Sequence, residues 1–291
     1  RSFAAFEHIE ELFVEALEEQ GKTLLSVETL KDKLANFETL EFKNVRFRYG
    51  GVGPYVLDDV SFTLNKGEQL ALVGTTGSGK STVIRIMSKA YMDYEGSILL
   101  NGIELSSIPK DSMLHLFSLM QQDVFMFEEN IHFNISLGVD EISDDAVVDA
   151  AEYVYAHDFI LGLPSQYQFE LKNSGSNLSA GQAQLISFAR SVAQGGQVMM
   201  LDEATSSVDS ITESLIQKAI GRLFEEKTVI AIAHRLSTIR HSDQILVLNQ
   251  GKIVEQGSHQ DLLAKNGVYS SLLTDDANVA DDGDELLPKS G

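Results

Sequence analysis

The sequence contains no cysteine. That excludes disulfides, thiolate metal sites and a cysteine nucleophile, and it is compatible with a reducing compartment. Basic residues are scarce: 22 Lys and Arg stand against 43 Asp and Glu, a formal net charge of −21. A protein that wraps nucleic acid needs a basic surface to meet the phosphates, so this balance argues against that role. It leaves room for one small basic pocket around a single phosphate chain. No apolar run approaches the roughly 18–20 residues that cross a bilayer. The N-terminus lacks the apolar stretch and small-residue cleavage site of an export signal. It begins with Arg1 and reads as a piece excised from a longer protein. What is present suits a folded chain: 291 residues with 43% hydrophobic content, enough to bury a substantial core as one large domain or two small ones.

Phe6, Ile9, Phe13 and Leu17 recur at helical spacing among glutamates, which predicts an amphipathic N-terminal helix followed by a polar connector over residues 21–38. From Leu40 the pattern alternates through Phe42, Val45, Phe47 and Tyr49, with a shift near Asn44, and predicts a bulged strand. A second strand is expected over 56–64 and a short buried one over 69–73. Helices are expected over 79–90, 141–161 and 180–193. Residues 96–100 form a strand signal closed by Asn101-Gly102, a hairpin dipeptide. The apolar runs 198–201 and 229–233 suit parallel strands buried on both faces. Residues 245–248 and 252–255 flank Asn249-Gln250-Gly251 as a hairpin. The acidic segment from Asp275 is expected to be disordered.

The strongest chemical signal is Gly74-Thr75-Thr76-Gly77-Ser78-Gly79-Lys80-Ser81, followed by Thr82. It matches the phosphate-binding loop, with an apolar strand before it and a helix after it. The glycines let the backbone curl so that successive N–H groups aim at phosphate oxygens, and the helix N-terminus adds its positive dipole end. Lys80 supplies charge to the β and γ phosphates and Ser81 a hydroxyl for Mg²⁺. A second signal is the apolar run ending in Asp202-Glu203, two carboxylates at the edge where open α/β sheets bind ligands. Asp202 is placed to hold Mg²⁺, directly or through water, and Glu203 to polarise the attacking water.

A third signal, Asn177-Leu178-Ser179-Ala180-Gly181-Gln182, lies 20 residues before Asp202 when counted from Gln182. Here the chain resembles the ATP-binding cassette (ABC) ATPases, whose signature is Leu-Ser-Gly-Gly-Gln; Ala180 replaces the first of those glycines. The resemblance implies that Ser179, Ala180, Gly181 and Gln182 meet the γ-phosphate held by a second subunit, through a helix N-terminus. Ser179 is equally an ordinary cap for the helix that follows. The other family elements follow the same order. Gln122, with Gln121 as the alternative, resembles the glutamine that reaches Mg²⁺ and the water. The segment from Ser206 to Asp209 resembles the loop joining the two sites of a dimer. His234 resembles the switch histidine, and Tyr49, with Tyr55 as the alternative, resembles the aromatic that stacks adenine.

The resemblance covers residues 40–273 and is closest to nucleotide-binding domains of exporters. It implies an α/β fold: a P-loop NTPase of the ABC ATPase type, with a RecA-like core, an antiparallel β subdomain and an α-helical signature subdomain. It also implies an organisation of residues 1–38 as the linker after an absent membrane domain, 39–274 as the cassette and 275–291 as the tail. The expected activity is hydrolysis of ATP with Mg²⁺ in a head-to-tail dimer that powers export. The expected partners are a second nucleotide-binding domain, identical or not, and the coupling helices of a membrane domain at the cytoplasmic face, without nucleic acid. A soluble cassette ATPase of DNA repair or translation, and a non-enzymatic nucleotide sensor, are the competing readings. Two departures from the exporter pattern stand out: Asn173-Ser174-Gly175 where Glu-Arg-Gly is usual, and Ala183 where Arg is common.

Overall fold

The computed structural model describes residues 32–110, 113, 115–120, 124–202, 209–233, 239–240 and 242–281. The chain divides into two compact units, residues 1–36 and 37–291. Of the first, residues 32–34 are helical; the amphipathic helix expected before them lies outside the described residues.

The second unit begins with β1 (Thr39–Phe47). Leu40 and Phe42 are buried, and so are Val45 and Phe47, although the two pairs differ in parity. The register against the next strand shifts between Phe42 and Val45, where Asn44 takes φ 49°. One extra residue therefore returns the apolar side chains to the same face. Strands β2 (Leu57–Asn65), β4 (Glu95–Leu100) and β5 (Ile103–Glu104) complete an antiparallel sheet in the order β2-β1-β4-β5. Phe42 stacks on Phe62 across it at 4.5 Å. Asn101 and Gly102 both take positive φ, the backbone that a tight two-residue hairpin requires.

The larger sheet comprises β3 (Gln69–Val73), β6 (Phe117–Met120), β7 (Val198–Asp202), β8 (Thr228–Ile232), β9 (Gln244–Asn249) and β10 (Lys252–Gly257), in the order β10-β9-β3-β8-β7-β6. All of its neighbours pair in parallel except β9 and β10. Residues 229–232 and 198–201 are buried throughout, as expected of strands covered on both faces.

Helix α1 (Lys80–Met87) leaves β3 through the phosphate loop. It stops short of Ala90 because Lys89 turns left-handed, with φ 57°. Next come α2 (Ile131–Ser136), α3 (Asp144–Tyr153), α4 (His157–Leu161) and α5 (Ala180–Ala193). The single helix expected over 141–161 is thus two, broken where Tyr155 takes φ 62°. Helices α2, α3 and α5 pack on one another, and their apolar faces merge with β7 and β8 in one core that includes Phe188, Ile186 and Met199. Helix α6 (Ser210–Glu226) packs on β8. The C-terminal pair, α7 (His259–Lys265) and α8 (Val268–Asp281), closes a second core in which Tyr269 is buried against Val73, Ile245 and Val247. Helix α8 runs past position 275, into the segment expected to be disordered. No described helix is long and apolar enough to cross a membrane.

Candidate functional site: a phosphate loop between two sheets

The phosphate loop runs between β3 and α1. Its shape depends on two glycines. Gly74 (φ 145°) lies against the Leu248 carbonyl, where a Cβ would come within 2.1 Å of the oxygen. Gly79 (φ 110°) lies under Val56 and Leu57, where a Cβ would meet the Leu57 side chain at 2.7 Å and the Val56 carbonyl at 2.9 Å. Both conformations are nearly closed to L side chains, and both spaces are filled by neighbouring strands. The turn between β9 and β10 clamps the loop: Gly251 N–H donates to the Ser78 carbonyl at 3.1 Å, and the Gly251 carbonyl accepts from Asp58 N–H at 2.8 Å. The antiparallel sheet and the parallel sheet thus meet at the loop.

Gly79 caps α1 with no side-chain acceptor. The N–H groups of Thr75, Thr76, Gly77, Gly79, Lys80 and Ser81 meet no backbone acceptor among the described residues. Successive donors along the loop and helix start, with the helix dipole behind them, form an anion cradle. Lys80 is buried in it, and its Nζ donates to the carbonyls of Gly74 (2.6 Å) and Thr75 (3.0 Å). Burial pushes its pKa below the ordinary lysine range, while the nearby Asp202 carboxylate acts in the opposite direction. Asp202 ends β7, level with Ile232 on β8. Ser81 and Asp202 are both partly exposed oxygen donors. No group of three or more histidines or carboxylates arranged to hold a metal ion is found among the described residues. Hard oxygen donors of this kind fit Mg²⁺, which keeps several waters and shares phosphate oxygens.

Tyr49 sits in a short 3₁₀ turn after β1, 40% exposed. Its ring stands edge-on to Phe47 and Tyr91, at 5.0 and 5.1 Å, and its hydroxyl is 2.9 Å from Thr82 Oγ1. Tyr55, the alternative, instead bonds Glu95 at 2.8 Å and lies under the Arg48 guanidinium. Ser179 caps α5 with a reciprocal pair: its hydroxyl accepts Gln182 N–H at 3.2 Å, and Gln182 Oε1 accepts Ser179 N–H at 3.0 Å. Ala180 and Gly181 form the first turn of that helix. Asp209 caps α6 by accepting Thr212 N–H at 3.0 Å, and that bond holds its pKa below the usual carboxylate range. Gln122 (with Gln121), Glu203 and His234 lie outside the described residues.

Several supporting residues escape the sequence patterns. Tyr91 backs Tyr49, and Gly251 clamps the loop. Asn134, fully buried, joins the chain after β6 to α5. Its side chain accepts Phe127 N–H at 2.8 Å and Arg190 Nη2–H at 3.2 Å, and Arg190 Nη1 donates to the Phe125 carbonyl at 2.9 Å. Asn173, Ser174 and Gly175, at the position of one departure, take consecutive left-handed conformations.

Comparison with known proteins agrees with this geometry. The ABC transporter family profile matches residues 57–206. The chain is 40% identical to an ATP-dependent lipid A-core flippase of Saccharophagus degradans, over 80% of this chain and 40% of that protein. It is 41% identical to an uncharacterised ABC transporter ATP-binding protein of Bacillus subtilis, over 80% of this chain and 39% of the relative. Among solved structures, a bacterial Atm1-family ABC exporter with ATP bound aligns with TM-score 0.77 at 37% identity, over 83% of this chain and 42% of that one. The chain therefore spans about two fifths of the length of these relatives. With the family profile matched across the phosphate loop, the signature helix and β7, the chain belongs to the ABC transporter family as an ATP-binding cassette ATPase.

Proposed function

We propose that residues 39–274 are the ATP-hydrolysing cassette of an exporter, working with Mg²⁺ in a head-to-tail dimer beneath a membrane domain. The observation that carries this reading is the anion cradle: successive loop N–H donors with no backbone acceptor among the described residues, around a buried lysine. Backbone donors in series suit a polyphosphate. On binding, Lys80 would exchange the carbonyls of Gly74 and Thr75 for β and γ phosphate oxygens, trading neutral acceptors for charged ones. Ser81 and Asp202 would hold Mg²⁺, with Gln122, and the ion would offset charge on the β and γ oxygens. Tyr49 would stack the base.

Glu203 would align water in line with the γ-phosphate, and His234 would hold that phosphate and orient Glu203. The chemistry is mostly positioning and charge stabilisation. Ser179, Ala180, Gly181 and Gln182 would close over the nucleotide of the partner subunit, with Asp209 at the loop between the two sites. Loss of the γ-phosphate gripped by both halves then opens the dimer, a two-state change biased by ligand. A membrane domain would read that change at the exposed Phe125 and Phe127. On this reading the cassette works at the cytoplasmic face of its membrane.

ATPase rate against protein concentration tests the proposal. The rate should rise faster than linearly, and Glu203→Gln should abolish turnover while retaining an ATP-bound dimer in gel filtration. A strictly linear rate together with unchanged turnover in Glu203→Gln would refute it.

A further inference from the structure

The bond between Tyr49 and Thr82 joins two parts of the site that sequence motifs treat separately. Thr82 lies in the first turn of α1, one residue beyond Ser81, and is 4% exposed. Its hydroxyl carries a single proton and has Tyr49 as its partner at 2.9 Å. Phe47 and Tyr91, packed against each other at 5.4 Å, both meet the Tyr49 ring edge-on and back it on its inner side.

We propose that the Tyr49 hydroxyl is a positioning group for the phosphates: it donates to Thr82 Oγ1 and so turns the one Thr82 proton toward the phosphate chain. This inference rests on the nucleotide-binding reading above. Without a ligand, either hydroxyl can be the donor. An anion at the start of α1 removes that freedom. A lone pair of Thr82 facing phosphate would be repelled, so the Thr82 proton faces the anion and its oxygen needs a donor from elsewhere. A phenol is the better donor of the two. Two hydroxyls in series also polarise each other, which strengthens the terminal bond. The consequence is a coupling: the aromatic shelf for the base contributes to holding the phosphates even when no base is present.

The test uses the 291-residue chain with Mg²⁺ and two probes, ATP and inorganic tripolyphosphate, measured by calorimetry. Tyr49→Phe keeps the ring and loses only the hydroxyl. It should weaken tripolyphosphate about threefold to tenfold, the worth of one hydrogen bond, and ATP by the same factor. Thr82→Val should weaken both probes at least as much, and adding Tyr49→Phe to it should cost nothing further. Thr82→Ser, which keeps the hydroxyl, should bind like the parent. Thermal midpoints confirm that each variant is folded. Unchanged tripolyphosphate binding in Tyr49→Phe overturns the inference, as does an additive double variant. If the parent chain binds neither probe, the nucleotide-binding reading fails and takes this inference with it.

Discussion

Ser179 is asked to do two things, and they can be separated. Its hydroxyl accepts Gln182 N–H at 3.2 Å and so caps α5; in the proposed dimer the same hydroxyl also meets a γ-phosphate in trans. Ser179→Ala removes the cap acceptor. The reciprocal bond, from Ser179 N–H to Gln182 Oε1 at 3.0 Å, uses the backbone and survives. The site is exposed, so water replaces part of what is lost. The expected cost is about 1 kcal/mol, which for a domain of this size lowers Tm by roughly 2–4 °C. Ser179→Asp keeps an oxygen acceptor at a position where aspartate caps as well as serine. It also places a negative charge at the helix N-terminus, where the dipole favours it. Its stability should therefore match the parent within about 0.5 kcal/mol. Its carboxylate would oppose the γ-phosphate of a partner, so ATPase activity should vanish while ATP binding to the monomer persists. Denaturant melts and ATPase assays on both variants decide the matter. If Ser179→Asp is destabilised as much as Ser179→Ala, the capping argument is wrong. If Ser179→Asp hydrolyses ATP at the parent rate, the trans contact is wrong.

Asn134→Ala should be far more disruptive, because it leaves Phe127 N–H and an Arg190 N–H without an acceptor in a buried site; a urea melt should show a loss of about 3 kcal/mol. A loss under about 1 kcal/mol would mean that neither donor depends on Asn134. Asp209 bears on acid stability. Its carboxyl is held below the ordinary range by Thr212 N–H, so its contribution is present above the unfolded-state pKa and is lost as pH falls through the lower folded value. Asp209→Asn keeps the cap without titrating and should flatten that part of the stability profile in denaturant melts between pH 5 and pH 2; an unchanged profile would assign the decline to other carboxyls.

Much of the fold is legible locally. The strand at 69–73, the helix at 180–193 and the turn at Asn101-Gly102 each carry their signal within a few residues. β6 and α2 do not: four and six residues show no periodicity, and they persist because β7 pairs with one and Asn130 caps the other. Helix α6 is a different case. Ile216, Ala219, Ile220 and Leu223 repeat at helical spacing and are buried, so its signal is present in the sequence although no expectation was attached to it. The phosphate loop is legible because its chemistry is contiguous in the chain. The fold-back of Lys80, the clamp from Gly251 and the bond from Tyr49 to Thr82 are not, because each depends on which distant strand end arrives beside α1.

The charge balance shows the same division between what is global and what is local. A chain at −21 might be expected to repel ATP. Exposed charges beyond about 8 Å are screened at physiological salt, however, so distant carboxylates act weakly on the loop. What a phosphate would meet there is the start of α1, with N–H groups that have no backbone acceptor among the described residues, and Lys80. Among the described residues Asp202 is a nearby negative charge, and it opposes the burial that pushes the Lys80 pKa down. A triphosphate with Mg²⁺ would give Lys80 a closer counter-charge while the ion balances Asp202. The acidic balance therefore argues against an extended polyanion such as nucleic acid, which must lie along many surface charges at once, while a short one would meet only a cradle a few residues wide.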